Sequence, residues 1–155
     1  MACRPILLLL VLAVLVTGCG TIERGKQRLA EAMNPNGSSI WIARANQICA
    51  DRATAVGRLP TPRTQTELID AGARIVSIEE LERSRLAQSV PPVNDRDELS
   101  DFLDSIRLVQ GGIERVSSAL ERRDPADLAD ARGTLAAARH QANAKARALG
   151  LTCLH

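Results

Sequence analysis

Aromatic side chains are almost missing from this chain: Trp41 and Phe102 are present, and there is no tyrosine. Flat faces that stack on sugars or bases are therefore scarce, which argues against a carbohydrate platform or a single-stranded nucleic-acid site. Charge of one sign is missing too. A formal net charge of +2 over 155 residues gives no basic or acidic field for a nucleic acid or a charged surface. There is no glycine-rich phosphate loop and no CxxC pair, and Ser117 and Ser118 lack a nucleophile-elbow setting. The two histidines, His140 and His155, have no nucleophile or orienting carboxylate placed beside them by spacing. The expectation is a protein that is not an enzyme, holds no cofactor and does not bind nucleic acid.

Long apolar runs are also scarce. The one that stands out is Ile6 to Val16, eleven residues behind the single positive charge of Arg4. It is too short to cross a hydrocarbon core of roughly 30 Å, which takes about 20 residues of helix, but it suits the apolar stretch of a secretory signal. Val16-Thr17-Gly18-Cys19 follows. This resembles the lipobox of bacterial lipoproteins: an aliphatic residue, a small residue, glycine or alanine, then the cysteine. The resemblance implies a signal peptide over 1–18, cleavage before Cys19 and diacylation of its thiol. The mature protein would then be extracytoplasmic and membrane-anchored through lipid, each buried methylene contributing about 0.8 kcal/mol. Gly20 is not the aspartate that acts as a retention signal in some Gram-negative bacteria, so it does not choose a membrane.

With Cys3 removed in the signal and Cys19 lipidated, Cys49 and Cys153 remain. An isolated pair beyond the membrane most often bridges, so a Cys49–Cys153 disulfide is expected. Closing a loop of about 105 residues constrains the unfolded chain by up to ~4.7 kcal/mol.

Residues 19–38 read as the lipidated N-terminus and a tether, with turn chemistry in Asn34-Pro35-Asn36-Gly37-Ser38; as a coil it reaches roughly 25 Å. The domain follows over 39–155. Apolar residues recur at helical spacing in four segments. The first, 39–59, carries Trp41, Ala45, Ile48, Cys49, Val56 and Leu59 and ends at Pro60-Thr61-Pro62. The second, 65–88, starts with a Thr64/Glu67 capping box, shows Leu68, Ala71, Ile75, Ile78 and Leu86 as its inner stripe, and stops at Pro91-Pro92. The third, 95–122, is capped by Asn94 and aligns Leu99, Phe102, Leu103, Ile106, Val109, Ile113, Val116 and Leu120 on one face. Gly111-Gly112 within it costs helix propensity and leaves a kink or a break open as an alternative to one continuous helix. The fourth, 125–149, has Asp124 as cap, Pro125 at its first position and a small-residue inner face of Leu128, Ala131, Leu135, Ala138, Ala142, Ala146 and Leu149. Gly150 suits the left-handed residue that closes a helix. No segment alternates with period two. The fold class expected is all-α, an up-down four-helix bundle behind a cleaved signal peptide and a flexible tether. That topology also brings the end of the fourth helix back to the start of the first, and so Cys153 to Cys49.

Ala43-Arg44-Ala45-Asn46-Gln47-Ile48-Cys49-Ala50 and Ala148-Leu149-Gly150-Leu151-Thr152-Cys153 together resemble small helical secreted and lipid-anchored proteins of actinobacteria. In these an early helix carrying an A-(N/D)-x-I-C motif and a terminal L-G-L-x-x-C bracket the domain, and the Pro91-Pro92 link also resembles that pattern. The resemblance supports fold and disulfide and carries over no catalytic residue.

Other residues invite a chemical reading and a simpler one. Asp97, Asp101 and Asp104 share a helix face and could hold a divalent cation with waters, but early acids on a solvated face complement the helix N-terminus. Glu79, Glu80 and Glu82 with Arg83 and Arg85 read as surface pairs, Glu79→Arg83 at i,i+4. His140 projects away from its helix's inner stripe. Trp41 suits either the core or the membrane interface. No two metal ligands converge by spacing, so no metal is expected. The leading functional expectation is a non-catalytic, lipid-anchored envelope protein that binds another protein or is structural. Its rival is a carrier or sensor holding an apolar molecule or a metal within the bundle, the apolar case requiring a cavity of about 300 Å³ or more.

Overall fold

The computed structural model describes residues 36–153 and 155. The signal peptide, Cys19 and the tether up to residue 35 lie outside the described residues. Four helices follow one another: α1 (Asn36–Gly57), α2 (Gln65–Gln88), α3 (Arg96–Arg122) and α4 (Pro125–Ala148), with a short 3-10 turn over Val93–Asp95. There is no strand among the described residues. The protein is all-α, a four-helix bundle in which α3 packs against both α2 and α4. No helix among the described residues is long and apolar enough to cross a membrane.

Local chemistry sets the boundaries. Thr64 caps α2 reciprocally: its hydroxyl accepts from the Glu67 backbone at 3.2 Å, and the Glu67 carboxylate accepts from the Thr64 backbone at 3.2 Å. Two donors that would otherwise be orphaned are satisfied. Asp124 does the same for α4, accepting from Ala126 and Asp127 at 3.0 Å, with Pro125 in the first helical position. Gly150, at φ 71°, takes the left-handed conformation that ends a helix at low cost to glycine. Behind it Leu151 N–H donates to the Ala146 carbonyl at 2.9 Å, which turns the chain back toward α1.

Two expectations are corrected, and one open alternative is resolved. Helix α1 begins at Asn36, so Asn36, Gly37 and Ser38 are helical rather than linker; weak helix formers cost at most about 1 kcal/mol each once a turn is nucleated. The N-cap position of α3 falls on Asp95, whose side chain makes no capping bond to the helix backbone, because the 3-10 turn after Pro91-Pro92 takes up Asn94. Gly111-Gly112 neither breaks nor ends α3, which is one helix over Arg96–Arg122. Gly112 is buried where a β-carbon would stand 3.1 Å from the Leu135 Cα, so the glycine lets α4 approach closely.

The core is built from Trp41, Ala45 and Cys49 on α1, Leu86 on α2, Leu99, Phe102, Ile106, Val109 and Ile113 on α3, and Ala138, Ala142 and Ala146 on α4. Leu149, Leu151 and Cys153 extend it into the tail. Trp41 belongs to this core, its indole N–H donating to the Ser89 hydroxyl at 3.0 Å. The disulfide joins Cys49 to Cys153, 104 residues apart, with Cα atoms at 5.0 Å.

Candidate functional site

Beside the disulfide lies a cluster of ionisable groups with almost no exposure. One turn beyond Cys49, α1 supplies Arg52. Helix α2 supplies Glu79 and Glu82, which at i,i+3 share a face. The tail after α4 supplies His155. The side chains of Glu79, Glu82 and His155 are fully buried and that of Arg52 is 11% exposed.

The tail is held at several points before it delivers the imidazole. Asn46 on α1 accepts from the Thr152 backbone at 2.7 Å and from its hydroxyl at 3.1 Å. Asn143 on α4 accepts from the His155 backbone at 2.8 Å. The disulfide fixes Cys153 between these points, and the imidazole meets the Phe102 ring edge-on, centroids 5.8 Å apart. Arg52 donates to Glu79 Oε1 through both Nε, at 3.1 Å, and Nη2. The other oxygen of Glu79 lies 3.0 Å from His155 Nδ1. Glu82 Oε2 stands 3.9 Å from that same nitrogen and 3.9 Å from Arg52 Nε.

The two carboxylates are unequal. Burial alone raises the pKa of Glu79, but the hydrogen bond and charge of His155, with Arg52 behind them, outweigh it and hold the carboxyl below the usual range. Glu82 goes the other way. Burial first, then the charge of Glu79, push its carboxyl up to about 8 against the pull of Arg52. Among the described residues neither oxygen of Glu82 nor Nε2 of His155 has a hydrogen-bond partner. Buried polar groups without partners cost about 1–3 kcal/mol each and call for an explanation.

Glu79, Glu82 and His155 each place one ligand atom within 4.8 Å of the others. A Glu82 oxygen also lies within 4.8 Å of the sulfurs of Cys49 and Cys153, which as a disulfide offer no thiolate. A groove of about 410 Å³ between α1 and α2 leads in from the surface, with Ile48, Asp51, Arg85, Arg52 and Glu82 among its walls.

The spacing-based expectations divide at this cluster. Cys49 and Cys153 are joined as expected; Cys19 lies outside the described residues. Glu79 is not a surface partner of Arg83: Glu80 takes that guanidinium, with contacts of 2.9 and 2.6 Å, while Glu79 and Glu82 turn inward. The convergence of His155 with two carboxylates corrects the expectation that no metal ligands meet. A signal for part of this was present. At 100° per residue, Ile75, Glu79, Glu82 and Leu86 fall within about 60° of one another, so the acids occupy core positions. Asp97, Asp101 and Asp104 are exposed, with Asp101 bonded to Lys145 at 2.6 Å and Asp104 to Arg107 at 2.9 Å, a solvated face. His140 is exposed.

A second hollow lies among α1, α2, α3 and α4. Val56, Leu68, Ile75, Ile113, Leu120 and Leu135 are among its walls, and it encloses about 370 Å³. No known protein family, curated protein or solved structure matches the chain.

Proposed function

We propose that this chain is a lipid-anchored helical module of the bacterial cell envelope, facing away from the cytoplasm, that acts by holding another protein rather than by catalysis. The observation that carries the reading is the Cys49–Cys153 disulfide. Disulfides of this kind persist in oxidising compartments and are rare in reducing ones. The pairing also accounts for two of the four cysteines, leaving Cys19 in its lipobox setting for the lipid. A binding role in place of catalysis is supported by the histidines. His140 is exposed, and His155 is engaged by a carboxylate rather than by a hydroxyl or thiol it could activate. A carrier of a small apolar molecule is a second reading, favoured by the 370 Å³ hollow among the helices, which is of ligand size.

The anchor is tested by Cys19→Ser. The wild-type chain is expected in the membrane fraction, with an intact mass that includes acyl chains and lacks residues 1–18. The variant is expected to lose the acyl mass and change its fractionation. Identical mass shifts and fractionation for both proteins would overturn the anchor.

A further inference from the structure

We propose that Glu79, Glu82 and His155 form a binding site for a divalent transition-metal ion, with the imidazole Nδ1 and one oxygen from each carboxylate as protein ligands.

The geometry comes first. Nδ1 of His155 lies 3.0 Å from Glu79 Oε2 and 3.9 Å from Glu82 Oε2, and all three ligand atoms fall within 4.8 Å of one another. Bonds of about 2.0–2.2 Å place neighbouring ligands of a tetrahedral ion about 3.3–3.6 Å apart. Glu79 and His155 are already near that separation, and Glu82 reaches it by closing several tenths of an ångström. Nothing hydrogen-bonded among the described residues holds Glu82 back, since both of its oxygens are unpartnered while its side chain is fully buried.

The surroundings are those of a ligand set rather than of an ordinary ion pair. Arg52 occupies only one oxygen of Glu79, which orients that carboxylate and leaves Oε2 facing the imidazole, the role outer partners play at metal centres. Arg52 also moderates the charge: two carboxylates and one guanidinium leave a net −1 for a dication to neutralise. Asn143 fixes the backbone of the residue bearing the imidazole, and Phe102 packs on its ring. The groove between α1 and α2 reaches Glu82 and Arg52 from the surface and provides an entry path. One imidazole and two carboxylates select a borderline ion such as Zn²⁺ or Co²⁺; Ca²⁺ seeks six to eight oxygens and a wider cage. Ligation through Nδ1 needs that nitrogen free, and ligation through Glu82 needs its carboxyl ionised, so the ion displaces to solvent both the proton between Nδ1 and Glu79 and the proton on Glu82.

The test uses the full-length chain in detergent, stripped with EDTA and titrated with Co²⁺. The expected result is visible d–d absorption saturating at one equivalent, its removal by one equivalent of Zn²⁺, and a higher melting temperature with either ion. Glu82→Gln keeps the side chain's size and removes an anionic ligand, so it should weaken Co²⁺ binding by more than about tenfold; Asp101→Asn, on the solvated face, should leave binding unchanged. His155→Gln is the second variant, so that a folding defect in Glu82→Gln, visible as lost helical circular dichroism, does not decide the matter. No absorption change in the wild-type chain overturns the site. So does binding that survives both Glu82→Gln and His155→Gln, or binding lost in Asp101→Asn.

Discussion

Helices α2 and α3 lie against each other and obey the same spacing rule, yet they bury opposite chemistries. Helix α3 turns Leu99, Phe102, Ile106, Val109 and Ile113 inward. The one hydroxyl it buries, Ser105, is satisfied within its own helix by donating to the Phe102 carbonyl at 2.6 Å. Helix α2 turns Glu79 and Glu82 inward and leaves Leu68 at 40% and Leu81 at 54% exposed. An apolar face needs only shape complementarity to be stable. A buried carboxylate needs partners on other elements, and so α2 depends on Arg52 from α1 and His155 from the tail. One helix holds the bundle together; the other carries a buried ionisable cluster at the expense of packing.

The largest expected effect tests the apolar side of that comparison. Phe102 is fully buried in the middle of the core and also supports the His155 ring. Phe102→Ala, in the oxidised protein, should lower unfolding free energy by about 3–5 kcal/mol, read from urea denaturation followed by circular dichroism. A loss under about 1 kcal/mol would mean that α3 is not the helix that holds the core.

The polar side predicts a change of opposite sign. Glu82 is buried with no hydrogen-bond partner among the described residues, and replacing a poorly satisfied buried polar group by an apolar residue of similar size is often neutral or stabilising. Glu82→Met in the metal-free protein should raise stability by about 1 kcal/mol, by the same denaturation measurement. A loss of several kcal/mol would show Glu82 to be paired in solution, and the two helices would then differ in composition only.

The same contrast explains what spacing could reveal. Helix α3, the Thr64 and Asp124 caps, the left-handed Gly150 and the Cys49–Cys153 pairing were legible, because each depends on neighbours within a turn or on elimination among cysteines. Spacing and residue type together put Leu68, Ala71, Ile75, Ile78 and Leu86 on the inner face of α2 and the glutamates outside it. Their angular positions beside Ile75 and Leu86 carried the better information. His155 was out of reach of any periodic argument. Its place is set by Asn46, Asn143 and the disulfide, contacts made across the fold.

The smallest effect separates two neighbouring glycines of α3 by what stands over each. Above Gly111 there is nothing within 4 Å of a built β-carbon; above Gly112, Leu135 presents its Cδ1 at 3.0 Å and its Cα at 3.1 Å. An alanine in a helix interior stabilises by about 0.8–1.0 kcal/mol over glycine when it touches nothing. Gly111→Ala should therefore raise stability by about 1 kcal/mol. Gly112→Ala gains the same propensity but must push the α4 backbone away by a few tenths of an ångström, and α4 cannot yield without disturbing the packing of Ala138 and Ala142. Its net effect should be zero or destabilising. Equal gains for the two alanines in thermal melts would mean that α3 and α4 are not in close backbone contact at Leu135, and that Gly112 has no packing role in the bundle.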